Sequence, residues 1–204
     1  MKIKNHIPNF ITLLNLFAGL LAIYYSMIDE LQFAGLMIFI AAIFDFFDGF
    51  AARLLNAKSA IGVQLDSLAD MVSFGVAPAF ILFRTIELAT EISGLSTWEY
   101  LPFIAFLIPI FSALRLAKFN IDEEQQTYFI GLPTPATAIL IASLPIMIIV
   151  CFVEYKGFYY DIVTNPLVLA GIAIVSSLLM VSKLPMFALK FTSVSWAENQ
   201  TRYI

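Results

Sequence analysis

Six apolar stretches, each close to the length of a membrane-spanning helix, constrain the fold of this 204-residue chain more than any other feature. They lie at about 8–27, 33–55, 63–86, 100–118, 132–153 and 165–182. An α-helix needs about 20 apolar residues to cross a bilayer. Since 61% of the residues are hydrophobic and 13% are charged, the composition excludes an ordinary water-soluble domain. The sequence predicts an all-α integral membrane protein with six transmembrane helices, and we expect residues 1–204 to form a single domain.

The first apolar stretch follows basic residues, as in a signal peptide. It runs for about 20 residues without an A-x-A-like cleavage site before Asp29, which favours a retained first helix. The single cysteine, Cys151, excludes an intrachain disulfide and a cysteine-based zinc site. His6 is the one histidine, so a multi-histidine metal site is excluded as well.

The lysines and arginines are distributed unequally between the two sides of a six-helix arrangement. Nine fall on one side: Lys2, Lys4, Arg53, Lys58, Arg115, Lys118, Lys183, Lys190 and Arg202. Arg84 and Lys156 fall on the other side, which carries most of the acidic loop residues. Because cytoplasmic loops are enriched in cations, we expect a multi-pass protein of the inner (cell) membrane with both termini in the cytoplasm.

Four aspartates interrupt the apolar pattern where the second and third stretches adjoin. Asp45 and Asp48 are three residues apart and Asp66 and Asp70 are four apart, so each pair shares one face of a helix. Like charges in a low dielectric repel, and a divalent cation with a preference for oxygen ligands, Mg²⁺, Mn²⁺ or Ca²⁺, removes that repulsion. Four carboxylates could hold two ions that share an aspartate, as in two-metal phosphoryl transfer.

Small residues accompany the aspartates on the same helix faces. Gly49 and Ala52 follow Asp45 at i+4 and i+7, and Gly62 precedes Asp66 by one turn. Small residues can serve close helix packing, or they can leave room for a ligand. Beside four aspartates we favour the second interpretation, with Arg53 placed to meet a phosphate.

Together these residues form a spaced motif that resembles the signature of the CDP-alcohol phosphotransferases. The motif is Asp45-x2-Asp48-Gly49-x2-Ala52-Arg53-x8-Gly62-x3-Asp66-x3-Asp70. The resemblance implies the fold of that family, six-helix membrane enzymes that form homodimers. It also implies two divalent cations, Mg²⁺ or Mn²⁺, and transfer of a phosphatidyl or related group from a CDP-linked donor to an alcohol, with release of CMP.

Further blocks resemble the phosphatidylserine synthases of that family: IPNFITLLNLFAGLLAI, DSLADMVSFGVAPA, ALRLAKFN, YFIGLPTPA and LLMVSKLPMF. They imply CDP-diacylglycerol and L-serine as substrates at a site that faces the cytoplasm, with the lipid bilayer as surroundings and no nucleic-acid partner. Lys118 departs from the pattern, since an arginine is expected there.

Two classes of alternative function remain open. One is the same transfer to glycerol phosphate, inositol phosphate or choline. A phosphorylated acceptor would require more basic residues than Arg115 and Lys118, which disfavours the first two of these alcohols. The other is cation transport. Transporter carboxylates usually lie near the bilayer midplane, whereas these aspartates gather at one helix end beside Arg53.

The resemblance also implies a role for each matched residue. Asp45, Asp48 and Asp66 would bind the first metal ion, Asp66 and Asp70 the second, and Asp70 is the candidate catalytic general base. The donor nucleotide would lie against seven residues: Asn9, Thr12, Asp45, Gly49, Ala52, Arg53 and Gly62. For Asn9, capping of the first helix is an equally good interpretation.

The serine pocket is assigned by chemistry at the cytoplasmic end of the fourth stretch. Arg115 is the strongest candidate for the serine carboxylate, because a guanidinium pairs with a carboxylate through two hydrogen bonds. Lys118 and Asn120 are further candidates. For Lys118, anchoring at the lipid headgroups is the alternative.

Overall fold

Eight α-helices make up most of the protein in the computed structural model, which describes residues 6–57, 59–94, 98–121, 129–154 and 157–186. They are α1 His6–Met27, α2 Leu31–Leu54, α3 Ala60–Asp70, α4 Ala77–Ile92, α5 Leu107–Ile121, α6 Thr134–Glu154, α7 Phe158–Val163 and α8 Pro166–Val181. A π-helical turn, Met71–Val76, joins α3 to α4 without a break, and a 3₁₀ segment, Leu101–Phe106, leads into α5. Residues Phe129–Ile130 pair antiparallel with Pro185–Met186.

Four helices in the described part of the chain are long and apolar enough to cross a membrane. They are His6–Met27, Leu31–Leu54, Ala60–Ile92 and Leu101–Ile121. Two shorter apolar helices, Thr134–Val150 and Pro166–Val181, follow them. The predicted all-helical, multi-pass membrane architecture is therefore confirmed, with the third predicted stretch extended at both ends into one 33-residue helix.

Capping side chains set the start of two helices. The Ser59 hydroxyl accepts a hydrogen bond from the backbone N–H of Gly62 at 3.0 Å, which caps α3. At α8, the Asn165 side chain accepts from the N–H of Leu167 at 2.9 Å, and Pro166 occupies the first turn. The start of α3 fixes the register in which Asp66 and Asp70 follow.

Small residues contribute much of the packing between the helices, and many large apolar side chains on the outer faces are exposed. Ala18 and Ala22 of α1 and Ala34 and Ala41 of α2 are buried in the core. A Cβ atom added at Gly35 would lie 2.5 Å from the carbonyl oxygen of Ala142, so α2 and α6 approach at backbone distance there. Such close packing is typical of helices in a bilayer, where burial of apolar surface gives no driving force between helices.

An ion-pair network lies at the end of the bundle opposite to the aspartates. Arg84 of α4 donates through Nε (2.7 Å) and Nη2 (2.5 Å) to Oδ1 of Asp29, in the turn between α1 and α2, and through Nη1 to Glu87. The network ties the α1–α2 turn to α4. The candidate site lies at the opposite end, where α1 begins and α2 ends.

Candidate active site

Three of the four predicted metal-binding aspartates form a tight cluster. Carboxylate oxygens of Asp45, Asp48 and Asp66 all lie within 4.8 Å of one another. Asp48 is 6% exposed, and within the described residues its Oδ2 atom has no hydrogen-bond partner. A buried, unsatisfied carboxylate oxygen beside two further carboxylates is costly unless a cation is present. The cluster therefore fits a hard divalent cation and could bind a metal ion.

Asp70 lies beside this cluster but outside it. It is the last residue of α3, one turn after Asp66, and it interacts electrostatically with Asp45 and Asp66. The side-chain amide of Asn15 in α1 donates a hydrogen bond to Asp70 Oδ1 at 3.3 Å. The structure thus brings all four aspartates to one end of the bundle and holds Asp70 from a third helix.

A cavity of about 480 Å³ opens next to the aspartates, a size typical of small-molecule sites. Its lining comes from α1, α2, α3 and the turn before α3: Pro8, Asn9, Thr12, Asp48, Gly49, Ala52, Arg53, Ala57, Ser59, Gly62, Val63 and Asp66. Six of the seven predicted donor-binding residues are in this lining, and the seventh, Asp45, lies in the carboxylate cluster. Their role in nucleotide binding stays a prediction.

The two glycines of the motif shape the cavity in different ways. A Cβ atom added at Gly49 would meet no atom within 4 Å, so this glycine leaves open space and does not serve close packing. At Gly62, an added Cβ would lie 3.0 Å from Ser59 Oγ and 3.1 Å from Asn9 Oδ1. Gly62 therefore both lines the cavity and permits close approach of α1 to α3.

Further polar residues of the cavity come from the first turns of α1 and the last turns of α2. Arg53 is exposed, and its Nε donates to the carbonyl oxygen of Gly49 at 3.0 Å. Thr12 is buried, and its hydroxyl donates to the carbonyl oxygen of Pro8 at 3.1 Å. Asn9 follows His6 within α1, so the interpretation of Asn9 as the helix cap is wrong: the helix begins before it.

The three predicted serine-binding residues lie on α5, outside the cavity lining. Arg115 Nη1 donates to the carbonyl oxygen of Met180 at 2.9 Å, near the C-terminal end of α8. Asn120 Nδ2 donates to Ser67 Oγ at 3.0 Å, next in sequence to Asp66. Lys118 is exposed in the last turn of α5. Their role in serine binding is not tested by this geometry and stays a prediction.

Sequence reasoning missed several residues at the site, notably Asn15, Ser59 and Ser67. Ser59 precedes the third helix directly, and a serine at that position is a recognisable capping signal. Asn15 lies three residues after Thr12 on the same helix face, and a polar side chain within an apolar stretch is itself a signal, because its burial is costly. Ser67 is likewise a polar residue within an apolar stretch, but its hydrogen bond with Asn120, 53 residues away, does not follow from the sequence pattern.

Comparison with known proteins supports the motif. A family model described as CDP-alcohol phosphatidyltransferase matches residues 5–181, most of the chain. The chain belongs to the CDP-alcohol phosphatidyltransferase family. The match includes the four aspartates and the residues that line the cavity.

Three relatives from different organisms carry the name CDP-diacylglycerol--serine O-phosphatidyltransferase. The protein of Bacillus subtilis (strain 168) is 39% identical over 184 residues, 88% of this chain and 89% of the relative. That of Methanocaldococcus jannaschii is 38% identical over 137 residues, 67% of this chain and 59% of the relative. That of Mycobacterium tuberculosis (strain H37Rv) is 36% identical over 145 residues, 68% of this chain but 48% of the relative. The chain thus spans nearly all of the first protein, about three fifths of the second and about half of the third.

Proposed function

We propose that this protein is a phosphatidylserine synthase that transfers the phosphatidyl group of CDP-diacylglycerol to L-serine and releases CMP. The observation that carries the proposal is the cavity beside the Asp45–Asp48–Asp66 cluster, lined by the residues of the CDP-alcohol motif. The names of the relatives support serine as the alcohol. In the reaction, the serine hydroxyl oxygen forms a bond to the phosphorus that carries diacylglycerol, the bond from that phosphorus to the CMP oxygen breaks, and the hydroxyl proton is released.

The aspartates have two roles in this proposal. Asp45, Asp48 and Asp66 would hold one divalent cation, and Asp66 and Asp70 a second; the unsatisfied Oδ2 of Asp48 supports the first assignment. Bound Mg²⁺ or Mn²⁺ would neutralise charge on the diphosphate and on departing CMP. Asp70 is the proposed acceptor of the serine proton, since it is the aspartate that lies beside the cluster.

The cavity is proposed to hold the cytidine diphosphate. Gly49 leaves space that a side chain would fill, and Arg53 carries a guanidinium whose five N–H donors suit phosphate oxygens. Asn9 and Thr12 of α1 close the opposite wall. The acyl chains of the donor would extend into the surrounding bilayer, past the exposed apolar side chains of α1 and α2.

Serine is proposed to approach from α5. The hydrogen bond from Asn120 to Ser67 brings the end of α5 to the residue that follows Asp66, which supports an acceptor site on that side of the aspartates. Arg115 is the proposed partner of the serine carboxylate. Lys118 and Asn120 complete the candidate set.

The proposed topology has six membrane spans, with both termini and the active site on the cytoplasmic side of the cell membrane. The four long helices and the two shorter apolar helices support the number. The excess of cations on the side of the aspartates supports the orientation. A homodimer is proposed from the family resemblance.

Labelling of introduced cysteines should report this topology. In a Cys151→Ser background, a cysteine at the exposed Ser93, after α4, should react with a membrane-impermeant thiol reagent added to intact cells. Cysteines at the exposed Asn56 and Ile121 should be protected until the cells are opened. Labelling of the cysteines at Asn56 and Ile121 in intact cells, together with protection of the one at Ser93, would place the active site on the other face and contradict the proposal.

An acceptor screen tests the proposed function directly. Purified protein with radiolabelled CDP-diacylglycerol and Mn²⁺ should form a labelled lipid with L-serine, and excess EDTA should stop the reaction. Transfer to glycerol phosphate, inositol phosphate or choline instead of serine would agree with the chemistry of the family and refute serine as the substrate.

In the same assay, Arg115→Lys should raise the KM for serine, because a lysine cannot make the two-hydrogen-bond pair with the serine carboxylate.

A further inference from the structure

Asn15 is a buried polar residue that none of the roles above uses. It lies in the middle of α1, and its side chain is fully buried (0% exposed). Its side-chain amide donates to Asp70 Oδ1 at 3.3 Å, across 55 residues of sequence. Among the residues that the structure describes, its Oδ1 atom has no hydrogen-bond donor. A leucine, which has the same branching, would fill this volume without burying an unsatisfied oxygen, so packing does not account for an asparagine here.

The backbone of Asn15 is fixed to the same region. The Ser73 hydroxyl donates to the Asn15 carbonyl oxygen at 3.0 Å, and Ser73 belongs to the π-helical turn that begins directly after Asp70. Close contact of Gly19, one turn further along α1, with Ser73 leaves no room for a side chain at position 19. Asn15 is therefore attached on both sides of the junction at which α3 ends, through its amide to Asp70 and through its carbonyl to Ser73.

The orientation of Asp70 depends on that attachment. Asp70 is not part of the tight group formed by the other three aspartates, although it lies within hydrogen-bond reach of Asp45; when these carboxylates are charged and no cation is bound, their repulsion favours movement of Asp70 away from Asp45 and Asp66. A donor from α1 opposes this displacement, because it interacts favourably with one carboxylate oxygen in a fixed position. Hydrogen bonds of this kind orient metal-binding carboxylates in many proteins.

We infer that Asn15 is a positioning residue, which holds the Asp70 carboxylate in the orientation required to bind a divalent cation next to the Asp45–Asp48–Asp66 cluster. The inference rests on the metal assignment made in the proposed function. It gives α1 a second role besides lining the donor cavity. Removal of the Asn15 side-chain amide should therefore weaken cation binding more than it lowers the stability of the fold.

The test compares Asn15→Leu with Ser26→Ala in purified protein. Ser26 is a matched control, because it is also fully buried in α1 and its hydroxyl donates to the carbonyl oxygen of Ala22 at 2.9 Å, within the same helix. Mn²⁺ binding is measured by electron paramagnetic resonance without substrate, thermal unfolding is followed in EDTA, and the Mn²⁺ dependence of serine transfer is recorded. Asn15→Leu should bind the second Mn²⁺, the one assigned to Asp66 and Asp70, about 10- to 100-fold more weakly than wild type, with an unfolding temperature in EDTA no lower than that of Ser26→Ala.

The other outcomes are also decisive. Wild-type affinity for the second Mn²⁺ in Asn15→Leu would overturn the inference, and so would a loss of that affinity that Ser26→Ala shares. Should Asn15→Leu fail to fold, Asn15→Ala replaces it, since a smaller side chain cannot clash, and the same comparison applies. A wild-type protein that binds Mn²⁺ but does not transfer to serine would refute the proposed substrate and leave the inference standing.

Discussion

Replacement of Asp66 by asparagine should abolish phosphatidyl transfer while the helix bundle stays intact. Asp66 is the aspartate of α3 within the three-carboxylate cluster, and it is the one proposed to serve both cations. Loss of about 4 kcal/mol of transition-state stabilisation corresponds to a kcat about 10³-fold lower, and we expect at least this effect. In EDTA the variant should unfold at the same temperature as wild type or a higher one, because one of three repelling carboxylates is gone.

A second carboxylate variant provides the control for Asp66→Asn. Asp161 is exposed in α7 and lies outside the cavity lining. Asp161→Asn changes the net charge by the same amount and should retain wild-type turnover. Substantial transfer by Asp66→Asn at saturating Mn²⁺, measured as labelled lipid formed per minute, would refute the proposed sharing of this aspartate.

Gly49→Leu should make the fold more stable and donor binding weaker. A mutation in the core would instead make the fold less stable. Nothing lies within 4 Å of the position that a Cβ would take, so a leucine meets no protein atom at its first carbon and instead enters the cavity. The helix should gain stability, on the order of 0.5–1 kcal/mol, because glycine is a poor residue inside a helix. Affinity for CDP-diacylglycerol should fall on the order of 100-fold, since overpacking a fitted site costs up to about 3 kcal/mol.

Gly171→Leu is the matched control for this experiment. Gly171 also lies inside a helix, α8, and a Cβ added there would likewise meet nothing within 4 Å, but it is not part of the cavity lining. Both variants should raise the unfolding temperature, and Gly49→Leu should be the one that loses donor binding in an equilibrium assay with labelled CDP-diacylglycerol. Equal donor affinity in the two variants would mean that the donor nucleotide binds elsewhere.

The helices could be predicted well because each apolar stretch satisfies a local requirement of length and hydrophobicity. The third stretch shows where this reasoning ends. Hydropathy predicts 63–86, whereas the helix runs from Ala60 to Ile92, because polar residues such as Glu87 and Glu91 lower the hydropathy of its last turns without disturbing backbone hydrogen bonds. The π-helical turn in its middle depends on contacts of Ser73 with Asn15 and of Gly75 with Ser112, which join residues distant in sequence.

The candidate site, too, has a part that follows from local sequence patterns and a part that depends on contacts between distant residues. Fixed spacing along α2 was enough to bring Asp48, Gly49 and Ala52 to one wall, because residues three and four apart share a helix face. What could not be predicted is the pairing between helices. The hydrogen bond from Arg115 to the Met180 carbonyl spans 65 residues, and the one from Asn15 to Asp70 spans 55. Neither follows from a local pattern.

The continuous helix Ala60–Ile92 also determines the depth at which the reaction would take place. At 1.5 Å per residue its 33 residues extend for about 50 Å, while the hydrocarbon core of a bilayer is about 30 Å thick. Counted from Glu87, in the ion-pair network at the other end, about 20 residues suffice to cross that core, so the turns that carry Asp66 and Asp70 lie at its edge, next to the lipid headgroups. A membrane-embedded donor already presents its diphosphate at this level, and a small water-soluble alcohol can arrive there by diffusion. The enzyme would thus join a lipid and a solute without lifting the lipid out of its leaflet.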